Sequence, residues 1–165
     1  MKTSKILTII GGGMAGCEAA WQAANMGVKV DLYEMRPKVK TFAHNTDYLG
    51  EMVCSNSFRS DDNEYNAVGL LHWEMYVGNG LIIKSAIYNR LPAGGALAVD
   101  RDNFAKCITN KINQHPNIRV INDENVELEH FDKVIVATGP LTSKRLADRI
   151  RELTGNDALS FYDAI

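Results

Sequence analysis

The chain opens with apolar and polar segments in the order that is typical of a strand–helix–strand unit. Residues 5–10 (KILTII) form a short β-branched run, which predicts a buried parallel strand ending at Gly11. Residues 14–26 then show helical spacing with Ala15, Ala19, Ala23 and Met26 on one side, where small alanines would let the helix lie close to a sheet, and Gly27 marks the end of the helix. Apolar and polar residues alternate from Val28 to Glu34, which predicts a second strand.

The segment 35–100 interrupts this regular pattern. Residues 35–63 contain prolines, glycine and polar residues with little periodicity, and loops of that length in a compact domain are usually functional or disordered. Helical spacing returns over residues 64–77 and 81–88, and residues 91–101 are glycine-rich and then strand-like. We therefore expect one domain over residues 1–165 with a smaller inserted segment at 35–100.

The last third of the chain returns to alternating strands and helices. Asp102 is expected to cap a helix that runs to about Gln114, with an inward face formed by Phe104, Cys107, Ile108 and Ile112. Strands are predicted at 118–121, at 125–129 and, as a buried strand, at 133–137, with a last helix at 142–153. The pattern predicts a three-layer α/β fold with a central parallel sheet. The apolar, strand-like end at 161–165 favours a fragment, the N-terminal part of a longer protein.

Composition narrows the class of protein. Apolar residues make up 45% of the chain and charged residues 23%, as in soluble globular proteins. The net charge of -2 gives no overall attraction to nucleic acid, so an RNA-binding surface would have to be local or lie outside this chain. The first apolar run is too short for a signal peptide, and no stretch is long enough to cross a bilayer. The expected location is the cytoplasm, without a membrane partner.

The cysteines and histidines do not form a metal-binding pattern. Cys17, Cys54 and Cys107 are an odd and widely spaced set, which argues against a disulfide scaffold and a zinc site. Cys17 lies on the first helical turn, where the helix dipole could lower its pKa, but packing is the favoured role. Cys107 is expected in the core. His44 and His72 have no paired acid in the sequence pattern, so a structural or surface role is expected for both.

A glycine pattern lies between the first strand and the first helix. Gly11, Gly13 and Gly16 have the spacing of a dinucleotide-binding turn, in which a tight turn, an approach to pyrophosphate and close packing each require glycine. Glu34 ends the second strand, where a carboxylate accepts hydrogen bonds from ribose hydroxyls. The alternative is a glycine turn that only packs. The strand, helix, second strand and terminal acid in register favour dinucleotide binding.

The choice between FAD and NAD depends on a later run. Residues 134–139 (VIVATG) resemble the ATG motif of flavoproteins with two dinucleotide folds, which favours FAD. Arg36 would contact the adenosine phosphate or be a solvated surface arginine, and the Gly94–Gly95 pair would approach the isoalloxazine or form a simple turn. The expected cofactor-binding residues are Gly11, Gly12, Gly13, Met14, Ala15, Gly16, Glu34, Arg36, Ala137, Thr138 and Gly139.

Six separated motifs together resemble one protein family. Residues 11–20 (GGGMAGCEAA) resemble the glucose-inhibited-division flavoproteins, which modify tRNA. The smaller branch of that family, the folate-dependent tRNA (uracil-5-)-methyltransferases, is similar in five further motifs: 33–37 (YEMRP), 53–60 (VCSNSFRS), 66–71 (NAVGLL), 92–101 (PAGGALAVDR) and 137–143 (ATGPLTS). The larger branch has a different cysteine loop and lacks the EMRP signature.

The resemblance implies an enzyme that uses FAD, 5,10-methylenetetrahydrofolate and NAD(P)H to methylate C5 of the T-loop uridine of tRNA. Ribosomal RNA as the substrate stays open, and most RNA contacts are expected outside this chain. The family match places Cys54 in the active-site cysteine loop, where it either attacks uracil or positions the flavin. Two alternatives are a catalytically incomplete FAD-binding module and a simple flavin oxidoreductase acting on a small molecule.

Overall fold

A computed structural model of the chain describes residues 6–123 and 127–155. In chain order its strands and helices are β1 (Ile6–Ile10), α1 (Met14–Asn25), β2 (Lys29–Glu34), β3 (Ser57–Ser60), α2 (Ala67–Val77), α3 (Leu81–Tyr88), β4 (Arg90–Leu91), β5 (Ala96–Val99), α4 (Arg101–Gln114), β6 (Ile118–Asn122), β7 (Val134–Val136) and α5 (Lys144–Thr154). Two 3₁₀ turns lie at Leu128–His130 and Gly139–Leu141.

Four parallel strands form the main sheet, in the order β6-β2-β1-β7. Successive strands are added on opposite sides of β1: β2 and then β6 lie on one side of it, and β7 lies on the other. Ligands of doubly wound folds bind at such a switch point, outside the carboxyl ends of the strands. The predicted α/β Rossmann-like class with a central parallel sheet is therefore confirmed.

The main core lies between one face of this sheet and three helices. Ile9 on β1 and Leu32 on β2 are fully buried, and α1, α3 and α4 contact one another beside them. Ala20 and Ala24 on α1 are also buried, so small side chains let this helix lie close to the sheet. The predicted face of Ala15, Ala19, Ala23 and Met26 is wrong, because Ala15 and Met26 are exposed and the buried face lies one position further along the helix. Burial of this apolar surface is what holds α1 beside β1.

A second, three-stranded antiparallel sheet has the order β3-β5-β4. Its central strand buries Leu97 and Val99 and contacts α3, whereas β3 contacts α2. Residues 57–60 were predicted to be irregular, and that prediction is wrong. Strand β3 exists only because β5 supplies its hydrogen-bonding partner, at a distance in sequence that local patterns do not capture.

Three further predictions are corrected. The cap of α4 is Asp100 rather than Asp102, because the Asp100 backbone is extended and its carboxylate accepts a hydrogen bond from the N–H of Asn103. Residues 128–130 form a 3₁₀ turn instead of a strand, and residues 124–126 and 156–165 lie outside the described residues. The strand predicted as buried at 133–137 is only partly buried: Ile135 and Val136 are 39% and 38% exposed, because β7 is an edge strand.

The inward face predicted for α4 is mostly confirmed. Phe104, Ile108 and Ile112 are fully buried, whereas Cys107 is only half-buried. Within residues 6–123 and 127–155, no helix combines the length and the apolar character that crossing a membrane requires.

Candidate functional site

The glycine turn after β1 has the close contacts that its spacing predicts. Gly11 has a φ of +106°, and its N–H donates a 2.8 Å hydrogen bond to the Tyr33 carbonyl. A Cβ atom at Gly11 would lie 2.6 Å from the Ala137 carbonyl oxygen, and one at Gly16 would lie 1.8 Å from the Gly11 oxygen. Any side chain at either position would therefore collide with backbone.

Gly13 differs from its neighbours because the space above it is open. It is the N-cap residue of α1, it makes no side-chain cap, and a Cβ atom there would meet nothing within 4 Å. The first N–H groups of α1 and the positive end of its dipole thus adjoin open space rather than a packed side chain. Such a helix start favours a phosphate group.

A cavity of about 390 Å³ lies at the carboxyl ends of β1, β2 and β7. It is lined by every predicted cofactor residue except Gly16, and also by His44, Glu51, Val53 and Asp123, which sequence reasoning had not placed there. Val53 begins the 53–60 motif, whereas no local pattern marks the other three, because they reach the site from the irregular segment after β2 and from the end of β6. The structure thus brings the predicted residues together, and their contact with a cofactor stays a prediction.

The Glu34 carboxylate is the central acceptor of this cavity. Its Oε2 atom accepts a 2.8 Å hydrogen bond from the Gly12 N–H, and its Oε1 atom accepts from the Arg36 backbone N–H at 3.0 Å and from Arg36 Nε at 2.8 Å. A carboxylate has about four lone-pair sites, and these hydrogen bonds fill three of them, two on Oε1 and one on Oε2.

Glu34 is held in its ionised form. Burial by itself would raise the pKa of this carboxyl, but the hydrogen bonds and the charge of Arg36, with the Gly12 N–H, outweigh burial and lower the pKa below its usual range. Glu34 is only 6% exposed, so these partners replace most of its water. The ionised acid can only accept hydrogen bonds, so it suits a ligand group that donates one.

Arg36 is buried, with only 1% of its side chain exposed, so the surface-arginine alternative is wrong. Besides Glu34, its Nη1 atom contacts Glu51 Oε2 at 3.3 Å and the Tyr48 carbonyl at 3.0 Å. The sequence did not predict this burial, because it depends on Glu51 from a separate part of the chain. The guanidinium lies between two carboxylates at one wall of the cavity.

Glu51 and His44 complete that wall. Burial would raise the pKa of Glu51, but the N–H of Asn45 and both the side chain and N–H of Thr46 outweigh it and lower the pKa. Burial, followed by the charge of Arg36, lowers the pKa of His44. His44 also shares a 2.6 Å hydrogen bond with the Thr41 hydroxyl.

The three cysteines lie in different surroundings. Cys54 is exposed, and its neighbour Val53 lines the cavity. Cys17 is fully buried, its Sγ donates to the Gly12 carbonyl at 3.3 Å, and burial followed by the charge of Glu34 raises the pKa of its thiol. The suggestion that the helix dipole lowers this pKa is therefore wrong, and the packing role is confirmed.

His72 has an acidic partner that the sequence did not reveal. Its Nδ1 atom lies 3.0 Å from Asp61 Oδ1, and Asp61 Oδ2 also accepts from Arg90 Nη2 at 2.6 Å. The expectation of no paired acid is wrong, whereas the structural role fits its burial. Over the described ranges 6–123 and 127–155, no group of three or more His, Cys, Asp or Glu is arranged to hold a metal ion.

Comparison with known proteins agrees with this geometry. Residues 6–165 match the family described as Glucose inhibited division protein A. The chain belongs to this family. The resemblance seen in the sequence motifs is therefore confirmed, and the glycine turn and the 137–139 turn around the cavity both lie inside the matched region.

Several curated members of this glucose-inhibited-division family are similar over almost the whole chain. All three described here are named methylenetetrahydrofolate--tRNA-(uracil-5-)-methyltransferase TrmFO. The protein of Jannaschia sp. is 64% identical over 96% of this chain and 35% of its own length. Those of Cereibacter sphaeroides and Dinoroseobacter shibae are 62% and 61% identical over 98% of this chain and 36% of theirs. The chain thus spans about a third of the length of these relatives.

Proposed function

We propose that this chain is the FAD-binding part of a cytoplasmic methylenetetrahydrofolate--tRNA-(uracil-5-)-methyltransferase. The names of relatives that are 61–64% identical support the reaction. The observation that carries the proposal is the cavity between two turns, where an open helix start at Gly13 faces the same space as the ionised Glu34. One end suits a phosphate and the other suits a ribose.

The residues of the cavity fit the adenosine and pyrophosphate parts of FAD. The N–H groups that begin α1 would bind the pyrophosphate, and the second lone-pair site on Glu34 Oε2 would bind a ribose hydroxyl. Thr138 and Gly139, which line the opposite wall after β7, would close over the nucleotide. The apolar lining contributed by Ile10, Met14 and Leu141 would exclude water from the bound cofactor.

Cys54 is the residue of this chain that we assign to the chemistry. Bound FAD would supply the redox capacity for a methylation that starts from methylenetetrahydrofolate and NAD(P)H. The thiol of Cys54 is exposed and adjoins Val53 at the cavity, so it is accessible to a substrate or to the cofactor. A thiolate adds readily to an activated carbon, which fits either attack on uracil or positioning of the flavin.

The RNA partner follows from the relatives rather than from the surface of this chain. Their names specify tRNA, and a ribosomal RNA substrate is the alternative within the same chemistry. The chain has a net charge of -2, so we place most of the RNA contacts on polypeptide beyond this region.

The first test is titration of the purified chain with FAD, followed by visible absorbance and by calorimetry. The wild type is expected to bind FAD, and Gly13→Asp is expected to abolish binding while leaving the fold intact. A Cβ atom at Gly13 meets no protein atom within 4 Å, so Asp fits there without a clash, and its carboxylate takes the helix N–H groups that a phosphate would use. Asn110→Asp, on an exposed position of α4, adds the same charge elsewhere and is the matched control.

The outcomes separate the alternatives. Equal FAD binding by the wild type and Gly13→Asp, with both folded by circular dichroism, would reject the assigned site. If FAD binds as expected, methyl transfer from methylenetetrahydrofolate to a T-loop RNA by the longer parent protein distinguishes the methyltransferase from an incomplete FAD module. Oxidation of NADPH without folate or RNA would instead indicate a simple flavin oxidoreductase.

A further inference from the structure

Arg36 joins β2 to the segment of residues 44–54, which we call the cysteine segment because it ends at Cys54. From β2, Glu34 Oε1 accepts from Arg36 Nε at 2.8 Å. From the cysteine segment, Glu51 Oε2 and the Tyr48 carbonyl accept from Arg36 Nη1 at 3.3 and 3.0 Å. The guanidinium is 1% exposed, so water does not compete for these contacts.

The same two parts of the chain also meet at Gly12. Its N–H donates to Glu34 Oε2, and its carbonyl accepts a 2.8 Å hydrogen bond from the Gly50 N–H. A Cβ atom at Gly12 would lie 2.6 Å from Leu49 Cδ2, so the cysteine segment packs directly on the glycine turn. The contacts form a closed ring that runs from Gly12 through Glu34 and Arg36 to the cysteine segment and back to Gly12.

We infer that Arg36 is a positioning residue that holds the cysteine segment against the glycine turn and so couples nucleotide binding to the placement of Cys54. This inference rests on the proposed FAD site. A nucleotide that bonds to Glu34 acts on a member of the ring, and Val53 of the cysteine segment lines the same cavity. The effect is reciprocal, because two linked equilibria change one another by the same factor.

The planar shape of the guanidinium is what the ring requires. One side of Arg36 is bonded to Glu34 while its Nη1 atom reaches Glu51, and a lysine ammonium lacks that spread of fixed donors. Removing the cation would leave two buried carboxylates without the charge between them. Glu51 is the milder position to change, because its loss removes the charged contact between Arg36 and the cysteine segment but leaves the Tyr48 carbonyl contact and the Glu34–Arg36 pair in place.

The experiment measures alkylation of Cys54 by iodoacetamide with and without saturating FAD, followed by mass spectrometry of the Cys54 peptide. In the wild type, FAD is expected to slow alkylation by about tenfold, since the ring keeps Cys54 beside the occupied cavity. In Glu51→Gln, measured at an FAD concentration that saturates this variant, the slowing should fall to about twofold or less because the charged contact is lost. A loss of overall stability alone would not change the ratio of the Cys54 alkylation rates without and with FAD, provided that FAD saturates the protein.

Asp47→Asn is the matched control, because Asp47 lies in the same segment and pairs with Lys40 on the surface at 3.2 Å. It should retain the slowing seen in the wild type. Equal slowing in Glu51→Gln and Asp47→Asn would overturn the inference. If Glu51→Gln fails to fold, Arg36→Lys replaces it, with the same expected loss of slowing and the same contradicting result.

If the proposed FAD site is wrong, the alkylation experiment gives a result that differs from a failure of the Arg36 inference. If the wild type binds no FAD, the alkylation rates without FAD decide the positioning role. Faster alkylation in Glu51→Gln than in Asp47→Asn would support Arg36 as the positioning residue, and equal rates would overturn it.

Discussion

The carboxylate of Glu18 on α1 caps the first turn of α3 by accepting a 2.8 Å hydrogen bond from the Ile82 N–H. It also accepts from the Leu81 N–H at 3.1 Å. Gly80, the residue at the N-cap position of α3, has no side chain that could do this. Because Leu81 and Ile82 are buried, water has little access to these two N–H groups. A distant acid therefore supplies both the cap and a negative charge at the helix start.

Glu18→Ala is expected to destabilise the protein by about 1–2 kcal/mol, because two helix N–H groups lose their acceptor. Glu18→Gln should cost less, since its amide oxygen can still accept one hydrogen bond. Urea unfolding followed by circular dichroism measures both changes. Glu74→Ala, at an exposed position of α2, is the control and should change stability little. A similar loss in Glu74→Ala and Glu18→Ala would contradict the capping role.

The cap of α3 illustrates what the sequence could and could not predict. The bounds of α3 follow from helical spacing and the preceding Gly78 and Gly80, and the structure confirms them. The cap itself comes from Glu18, more than sixty residues away, and no local signal assigns it. The strand–helix–strand unit and the Glu34 position were likewise predictable, because short-range period and turn chemistry determine them.

The unpredicted features depend on partners or on backbone conformations that only the folded chain provides. Arg36 follows Glu34 in the chain and was expected near phosphate or solvent, but its burial requires Glu51 from the irregular segment. His72 was expected to have no acid, and Asp61 reaches it only after β3 and α2 fold together. Asp100 and Asp102 are both suitable cap residues by type. Only the extended backbone at Asp100 distinguishes them.

A side chain should destabilise the glycine turn at Gly16 much more than at Gly13. Gly16→Ala places a Cβ atom 1.8 Å from the Gly11 carbonyl oxygen, so overpacking of the turn should cost about 1–3 kcal/mol or more. Gly13→Ala meets no protein atom within 4 Å and should leave the fold intact apart from a smaller loss. Thermal unfolding of both variants without ligand tests this difference. Equal destabilisation by the two substitutions would contradict the assigned turn geometry.

Acid should weaken the fold through Glu34 and Glu51. Both carboxyls have a folded pKa below their ordinary value of 4.5, so the stability they contribute is fully present above that pH. It is lost as the pH falls through their lower folded pKa values. The free energy of unfolding should therefore decline below about pH 4.5, and Glu51→Gln should reduce the slope of that decline. Denaturant unfolding between pH 3 and 7 measures it, and identical slopes would contradict the prediction.

The acidic wall of the cavity should make the site select against a 2′-phosphate on the ribose. Glu34, Glu51 and Asp123 line it, and among the described lining residues Arg36 is the only arginine or lysine. That guanidinium is already bonded to two carboxylates, so it is poorly placed to neutralise an added phosphate. A 2′-phosphate would instead face ionised Glu34, from which like-charge repulsion follows.

We therefore expect ADP-ribose to bind at least about tenfold more tightly than its 2′-phosphorylated form, because like charges in contact cost several kcal/mol. Competition of each compound against FAD, followed by flavin fluorescence, gives the ratio. Glu34→Gln should reduce it, since the amide lacks the negative charge, whereas Asp47→Asn on the surface should not. Equal affinities in the wild type would contradict the acidic-wall assignment. A preference for unphosphorylated ribose would mean that a 2′-phosphorylated nicotinamide cofactor has to bind at a different site.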